Sequence, residues 1–316
     1  MTSISNPEHG SRGPDRTIRP SEAATDSRSS PRTPQDAPSI QGAVEMTQSE
    51  QWPRYSLLVS SCDAYSDCWP PFFTLLAKYW PGPRPRIYLN TETRAFTFPE
   101  LDIECPRVSL GRSIRLAWSH RLLRCLDEIP DEIILYLQED YFLKDAVDTA
   151  TIDELVNLMI REDIGHVSLA HYGRAGNPCG HPFLSRIDRD SEYVVCAQAG
   201  LWNVSLLKSY LRRAETVWEF EWYGTRRARA REDSFYCVND AYEQLHHRKV
   251  VPYDATGVVH GRWMRDAVEG LFRTHGIEID YGVRGFYDPV DDSWESRSVL
   301  TRARRRLQLM VSPVGR

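Results

Sequence analysis

The sequence lacks several features that define common classes of protein. Across its 316 residues no apolar run approaches the roughly 20 residues needed to cross a bilayer. The start of the chain has no apolar h-region, so we expect no secretory signal. A net charge of only −5 argues against a general nucleic-acid binder. These absences predict a cytoplasmic protein without a nucleic-acid partner.

Common catalytic and cofactor motifs are absent as well. The chain has no GxSxG, no HExxH, no P-loop GxxxxGK[ST], and no GxGxxG after its first predicted strand. The seven cysteines form no CxxC pair, which favours scattered reduced thiols over a zinc site or a disulfide framework. Dinucleotide-binding and zinc-protease functions therefore have no support in the sequence.

The first fifty residues contain no Trp, Phe, Tyr or Cys and are rich in Ser, Pro, Thr and Arg. Such a segment buries too little apolar surface to offset the entropy of ordering it, so we predict disorder over 1–51. Met46 is an alternative translation start. We expect a catalytic domain over 52–285. A basic, helical segment over 286–316 then either faces solvent or contacts anionic lipid at the inner membrane face.

The remaining sequence alternates between predicted strands and helices, which is typical of an α/β sandwich around a mostly parallel sheet. Such sheets bind ligands at the carboxyl ends of their strands. Apolar runs predict strands at 56–60, 86–90, 133–137, 166–170 and 193–197. Apolar periodicity predicts a helix over 113–129, and Thr151 and Asn203 are expected to cap two further helices.

The motif Gln138-Glu139-Asp140 directly follows the clearest of these strands. Two adjacent carboxylates at the end of a buried strand repel each other, and a divalent cation relieves that repulsion. Carboxylate oxygens suit Mg²⁺ or Mn²⁺, which can stabilise a departing diphosphate. The alternative interpretation is a solvated acidic turn.

The segment Trp218-Glu219-Phe220-Glu221 alternates aromatic rings with carboxylates. If it is extended, Glu219 and Glu221 share one face. Rings and carboxylates together suit a sugar pocket, and a carboxylate in apolar surroundings suits a general base. These aromatic residues would equally serve in a core.

Other polar residues at predicted turns and helix starts are weaker candidates. His260 is a candidate metal ligand in a glycine-flanked loop, and Arg262 is a candidate phosphate ligand. Arg121 is a candidate for diphosphate or nucleobase contact, and Gln198 for a sugar hydroxyl. Each has a plainer interpretation as a surface or strand-end residue.

The order of these motifs resembles that of bacterial glycosyltransferase-like proteins associated with capsular or cell-surface polysaccharide assembly. The resemblance runs from about Tyr55 to Trp263 and consists of short blocks in consistent order. The blocks are Ser60-Ser61-Cys62-Asp63, Trp118-Ser119 with Arg121-Leu122, Leu137-Gln138-Glu139-Asp140-Tyr141-Phe142, Gly200-Leu201-Trp202 with Trp218-Glu219-Phe220-Glu221, and Val258-Val259-His260-Gly261-Arg262-Trp263.

The resemblance implies a GT-A fold with a nucleotide-sugar half and an acceptor half. It implies that Asp140 is the principal metal ligand, assisted by Glu139, while Gln138 departs from the usual Asp-x-Asp pattern. His260 would be a further ligand. Nucleotide-sugar contacts are then expected from Ser61, Asp63, Trp118, Arg121, Gln138 and Arg262, and acceptor contacts from Gln198, Trp202 and Trp218.

The predicted function is transfer of a sugar from a nucleotide-diphosphate sugar to a hydroxyl of a glycan, lipid-linked or small-molecule acceptor. The resemblance implies inversion at the anomeric carbon. We expect Glu221, or else Glu219, to deprotonate the acceptor. The alternatives are a sugar nucleotidyltransferase and a non-catalytic carbohydrate-binding or scaffold relative. Gln138 is the feature that favours the non-catalytic alternative.

Overall fold

The computed structural model describes residues 54–169, 176–254 and 256–288. The predicted disordered segment 1–51 and residues 289–316 of the predicted basic segment lie outside this range, so both predictions stay open. None of the helices in the described ranges combines the length and apolar character needed to cross a membrane.

The described chain alternates between strands and helices from Ser56 onwards. The strands are β1 Ser56–Ser60, β2 Ile87–Leu89, β3 Ile103–Glu104, β4 Ile133–Gln138, β5 His166–Ser168, β6 Gly176–Pro178, β7 Leu184–Ile187, β8 Gly200–Asn203, β9 Phe235–Val238, β10 Val258–Val259 and β11 Arg262–Trp263. The helices are α1 Trp69–Tyr79, α2 Trp118–Leu126, α3 Thr149–Glu162, α4 Val204–Tyr210, α5 Val217–Arg229, α6 Asp240–His246 and α7 Arg265–Thr274.

Nine strands form one sheet in the order β3-β2-β1-β4-β8-β5-β9-β7-β6. Strands β3, β2, β1 and β4 are mutually parallel, and β5 is parallel to β9. The antiparallel pairings of β8 and β7 mean that these two strands run against the other seven. The predicted α/β class with a mostly parallel central sheet is therefore confirmed.

Helices cover both faces of the sheet, because the strands present apolar side chains to each side in turn. Leu57 and Val59 of β1 belong to one core cluster and Leu58 to the other. The first cluster takes apolar residues of α1, α3, α6 and α7, whereas the second takes those of α2, α4 and α5. Full burial of a side chain such as Phe73 stabilises the fold by about 1.5–3 kcal/mol.

The strand order reverses between β1 and β4. The chain passes from β1 outwards to β2 and β3, and then returns to place β4 on the other side of β1. Ser60 at the end of β1 pairs with Gln138 at the end of β4. A crevice opens at such a switch point because the loops leaving the two strands diverge.

Several local predictions need correction. The helix predicted over 113–129 is confined to Trp118–Leu126, and 193–197 forms no strand. The helix near Thr151 starts earlier, because Asp148 is its N-cap and accepts a hydrogen bond from the Thr151 amide. The predicted cap at Asn203 is confirmed, since its side chain accepts from the amides of Ser205 and Leu206.

Candidate active site

A cavity of about 350 Å³ lies where β1 and β4 end. This volume falls in the range of small-molecule sites. Of the fourteen predicted site residues, ten line it: Ser61, Trp118, Arg121, Gln138, Glu139, Asp140, Gln198, Trp218, Glu221 and His260. Positions more than a hundred residues apart in sequence therefore meet at one place.

A larger cavity of about 530 Å³ lies at the opposite edge of the sheet. It is lined by Gly165 and Ser234, which directly precede β5 and β9, and by Asn203 at the end of the antiparallel β8. Of its four acidic residues, Glu162, Asp163 and Glu232 are exposed, and Asp233 is half-buried and paired with Arg231. We assign the candidate site to the smaller cavity, because charged groups are buried there and ligands bind at the carboxyl ends of parallel strands.

Glu139 and Asp140 are both buried, at 7% and 6% exposure. Burial, followed by repulsion from Asp140, raises the pKa of Glu139 well above its usual value. Burial also raises the pKa of Asp140, and hydrogen bonds from Thr256 and Val258 offset only part of that effect. The cavity therefore holds two carboxyl groups whose charged forms are costly without a cation.

Asp140 also fixes the wall formed by residues 256–258. Its Oδ2 accepts hydrogen bonds from the Thr256 hydroxyl and, at 3.1 Å, from the Val258 amide. The Gly257 amide donates to the Asp140 backbone carbonyl at 2.9 Å. A Cβ on Gly257 would lie 2.3 Å from the Phe142 ring, so the close approach requires glycine. Oδ1 of Asp140 takes part in neither side-chain bond.

Gln138 has a structural role that an Asp cannot fill. Its Nε2 donates to the Ala197 carbonyl at 2.8 Å and to the Tyr141 hydroxyl at 2.7 Å. Tyr141 in turn donates to the same carbonyl at 2.8 Å. A carboxylate has no proton to donate to that carbonyl. The departure from Asp-x-Asp thus coincides with a hydrogen-bond network that joins β4 to the segment before β8.

Arg121 is 7% exposed and brings a positive charge to the cavity wall. Its Nη1 donates to the Leu116 carbonyl at 2.8 Å and lies 3.4 Å from Oε1 of Glu92. Glu92 was not predicted, because the loop after β2 carries no motif. Among the described residues, Nε of Arg121 has no hydrogen-bond partner. This nitrogen is a buried, unsatisfied donor in the cavity wall.

Two tryptophans hold the serines at the end of β1. The Trp118 indole donates to Ser60 at 3.2 Å, and the Trp69 indole donates to Ser61 at 2.7 Å. Trp118 is the first residue of α2. Its ring also contacts Phe220 of α5, which links both helices to the cavity wall.

The segment that contains Glu219 and Glu221 is helical, so the two carboxylates do not share a face. Thr216 and Glu219 form a capping box at the start of α5. Oε2 of Glu219 accepts from the Thr216 amide at 2.8 Å, and the residue does not line the cavity. Glu221 does line it, and its Oε1 accepts from the Ala197 amide at 2.8 Å. The spacing Thr-x-x-Glu was the overlooked helix signal.

Aromatic and imidazole rings form the rim. Trp218 is 66% exposed, and its ring lies 6.1 Å from that of His260. His260 and Gly261 form the two-residue hairpin turn that connects β10 to β11. Their φ angles are 50° and 79°, and a turn of this kind requires positive φ at both central residues. The predicted tight loop is confirmed. Gln198, on the inner wall, accepts from the Tyr253 hydroxyl at 2.9 Å.

Three further predicted residues lie outside the cavity lining. Asp63 accepts hydrogen bonds from the Glu92 and Thr93 amides at 2.9 and 3.0 Å and so holds the loop after β2. Arg262 is exposed on β11. Trp202 is 1% exposed and pairs with Ile134 near the start of β4, so its predicted sugar contact is wrong and it is a core residue.

The side chains of the cavity suit Mg²⁺ or a similar ion better than a metal that is bound by protein ligands alone. Within the described ranges, no group of three His, Cys, Asp or Glu side chains is arranged to hold a metal. Mg²⁺ commonly uses one or two carboxylates together with substrate phosphates and water. Glu139 and Asp140 supply that number, so any such ion at this site would depend on ligands from the substrate.

Comparison with known proteins gives no family assignment. No family model matches the chain, and no curated protein does. Among solved structures it is similar to S. aureus TarS 1–349 in complex with UDP (TM-score 0.41, 11% identity, 73% of this chain and 68% of that chain). The complex of TarS 1–349 with UDP-GlcNAc gives a TM-score of 0.42 at 10% identity, over 73% and 69% of the two chains.

The chain is also similar to a CMP:2-keto-3-deoxy-manno-octonic acid synthetase complexed with CTP. That similarity has a TM-score of 0.38 at 11% identity, and it covers 71% of this chain and 97% of that chain. These neighbouring structures contain UDP, UDP-GlcNAc or CTP. At these identities and TM-scores they assign no function to this chain, and the capsular association stays a prediction.

Proposed function

We propose that this protein is a glycosyltransferase that uses a nucleotide-diphosphate sugar as donor. The observation that carries the proposal is the convergence of Glu139, Asp140, Glu221 and Trp218 on one cavity at the strand switch point. Two carboxylates are buried there side by side, and a third stands beside an exposed indole. This combination serves both a charged leaving group and a sugar ring.

The donor half of the reaction uses Asp140, Glu139 and Arg121. Of the described residues that line the cavity, the carboxylates outnumber the arginine, and Arg121 already faces Glu92. A bare diphosphate would be repelled, so we propose that it enters with Mg²⁺ or Mn²⁺ held by Asp140 and Glu139. When bound, that ion neutralises the charge that develops on the diphosphate. The guanidinium of Arg121 in the cavity wall adds positive charge beside the diphosphate.

The acceptor half uses Glu221 and Trp218. We propose that Glu221 takes the proton from an acceptor hydroxyl while the oxygen of that hydroxyl forms a bond to the anomeric carbon. The bond from that carbon to the diphosphate oxygen breaks in the same step, which inverts the configuration. The face of Trp218 covers the apolar side of a sugar ring. Positioning and charge neutralisation supply most of the acceleration.

The proposal extends to biological setting only as far as the sequence resemblance suggests. The acceptor would be a glycan, a lipid-linked sugar or a small molecule of surface polysaccharide or glycoconjugate synthesis, and the reaction would take place in the cytoplasm. Gln198, on the inner wall, would contact a sugar hydroxyl, and His260, at the rim, would assist the ion or the substrate.

The test is a donor screen with the purified full chain. Nucleotide sugars of uridine, guanosine, thymidine and cytidine are each mixed with the protein, with and without Mn²⁺. Heats of binding are measured by calorimetry and slow hydrolysis is followed by release of the nucleotide. We expect one donor to bind in a Mn²⁺-dependent way and to be hydrolysed slowly to a nucleoside diphosphate.

Other outcomes would replace the proposal. Release of pyrophosphate from a nucleoside triphosphate and a sugar phosphate would identify a nucleotidyltransferase. Tight glycan binding without any nucleotide affinity would identify a carbohydrate-binding protein. Donor binding that is unaffected by excess chelator would remove the metal from the mechanism while leaving the transferase in place.

A further inference from the structure

The stretch from Cys105 to Leu126 carries no acidic residue. It contains five arginines at positions 107, 112, 115, 121 and 124 and one histidine at 120, in a chain whose net charge is −5. This stretch forms the loop between β3 and α2 and then α2 itself. Positive charge is therefore concentrated in one part of an otherwise acidic molecule.

Both ends of this loop are anchored to the fold. Val108 and Leu116 are buried, at 6% and 9% exposure. The Val108 amide donates to the Thr91 carbonyl at 3.0 Å, and the Ser109 amide donates to the Glu92 carbonyl at 2.8 Å. The base of the loop is thus fixed to the segment that follows β2.

The tip of the loop, residues 110–115, is exposed at every position. Its two aliphatic side chains, Leu110 and Ile114, are 58% and 75% exposed. Arg112 and Arg115 stand beside them and are exposed as well. Aliphatic residues between arginines on an exposed tip are the pattern of a segment that sits at a lipid–water interface.

A second arginine-bearing segment faces the same region. Burial lowers the pKa of His120, and the charges of Arg213, Arg124 and Arg112 lower it further. Three arginines from two segments therefore act electrostatically on one side chain, and Arg213 belongs to the connection between α4 and α5. The basic surface is formed by two separate segments of the fold.

We propose that the loop tip 110–115, which includes Arg112, docks the protein onto an anionic lipid bilayer together with Arg124 and Arg213. The arginines contact phosphate headgroups, while Leu110 and Ile114 enter the apolar boundary. Nucleic acids and other soluble polyanions offer the charge but no apolar layer, so the exposed aliphatic residues favour lipid. This inference does not depend on the proposed reaction.

Docking at this loop would set the candidate active site close to the bilayer. Leu116, at the base of the loop, accepts the hydrogen bond from Arg121, which lines the cavity. Arg115, on the tip, lies 3.9 Å from Glu92, the partner of Arg121. A molecule held at the headgroup level would thus lie next to the cavity.

Co-sedimentation of the full chain with vesicles tests the proposal. Vesicles of phosphatidylcholine alone are compared with vesicles that also contain phosphatidylglycerol, at low and at high salt. We expect binding only to the anionic vesicles, weakened by salt. Arg112→Gln with Arg213→Gln should lower the partition coefficient about 30-fold, and Leu110→Ser with Ile114→Ser about tenfold.

Matched control variants come from the opposite face of the sheet. Leu245 and Val283 are 63% and 71% exposed, so Leu245→Ser with Val283→Ser removes similar apolar surface. Arg161→Gln with Arg273→Gln removes the same charge from α3 and α7. Every variant keeps residues 286–316, so any lipid contact made by that segment is constant. Unchanged melting temperatures verify that each variant folds.

The results of these assays distinguish a lipid-docking loop from general surface charge and from polyanion binding. Equal losses in the control pairs, or full vesicle binding by both loop variants, would overturn the proposal. So would a soluble polyanion that binds as tightly as the vesicles and is indifferent to Leu110→Ser with Ile114→Ser. Loss of vesicle binding with unchanged donor hydrolysis would support the docking surface and leave the proposed reaction unaffected.

Discussion

Asp148 and Asp140 are both almost fully buried aspartates that accept hydrogen bonds, yet their surroundings differ in charge. Asp148 caps α3, accepts from the Tyr242 hydroxyl at 2.6 Å and faces Arg248 at 3.0 Å. Burial alone would raise its pKa, but these hydrogen bonds and charges bring the pKa below the usual value. Asp140 lies beside Glu139 instead, and its pKa is raised.

The difference shows which carboxylates the fold itself neutralises. Where a carboxylate is structural, the chain places donors around it, as at Asp148 and at Asp63. At the end of β4 two carboxyl groups are buried together, with Arg284 contributing only weakly to Glu139. We infer that what stabilises their charged forms comes with the ligand.

The largest effect is expected from a substitution of Asp140, which tests the difference between the two aspartates directly. Asp140→Asn keeps the shape of the side chain but removes the charge that would hold a metal. A metal supplies several kcal/mol of charge stabilisation, so donor hydrolysis should fall about 10³-fold. Asp148→Asn is the matched control, since asparagine also caps helices, and its activity should stay near that of the unmodified protein. Equal losses of donor hydrolysis in both variants would refute the distinction between a ligand-binding Asp140 and a structural Asp148.

The second effect concerns the carboxylates of α5. Glu221→Gln should lower transfer about 10²-fold, because a general base contributes on that order. Donor affinity should be little changed, since Glu221 lies on the proposed acceptor side. Glu219→Gln is the control one half-turn away, and we expect little change in turnover or stability, because Glu219 does not line the cavity and glutamine also closes a capping box. Single-turnover rates with saturating donor provide the measurement.

The sequence predicts those parts of this site that depend on local patterns of apolar and polar residues. The apolar runs at 56–60 and 133–137 gave strands, and their polar ends gave Ser61, Gln138, Glu139 and Asp140 of the cavity lining. These predictions succeeded because apolar periodicity and turn chemistry are local. The α/β class followed from the same local pattern.

The failures arise where tertiary contacts decide. Trp202 is adjacent to a predicted motif, but β8 runs against β4, and this carries Trp202 towards the start of β4. Glu92 acquires its role only through Arg121, twenty-nine residues later in sequence. Glu219 was misassigned because alternating aromatic and acidic residues suggested an extended chain, while the capping signal at Thr216 predicted a helix.

The third effect tests the exposed ring at the rim. Trp218→Ala should raise the KM for acceptor about tenfold with little change in kcat, since a stacked ring contributes on the order of 1 kcal/mol or more. Trp222, one turn further along α5 and 58% exposed, does not line the cavity and serves as control. If Trp222→Ala raised KM as strongly, the acceptor would extend along α5 beyond the cavity.

The smallest effect is a pair of opposite pH dependences in stability. Asp148 has a lowered pKa, so its stabilisation is present above pH 3.8 and is lost as pH falls through its folded value. Glu139 has a raised pKa, so its contribution is present below pH 4.5 and is lost as pH rises. The two carboxylates should therefore respond to pH with opposite signs.

Denaturant unfolding in excess chelator, repeated at several pH values, measures how each carboxylate changes the free energy of unfolding with pH. Asp148→Ala should cost about 1 kcal/mol near pH 7, where the cap is ionised, and progressively less towards pH 3. Glu139→Gln should stabilise the metal-free protein near pH 7 and change little near pH 4, because glutamine carries no charge to desolvate. If Glu139→Gln instead destabilises the chain at neutral pH, the fold does neutralise Glu139 by itself. The contrast with Asp148 would then disappear, and with it the reason to expect a cation at the end of β4.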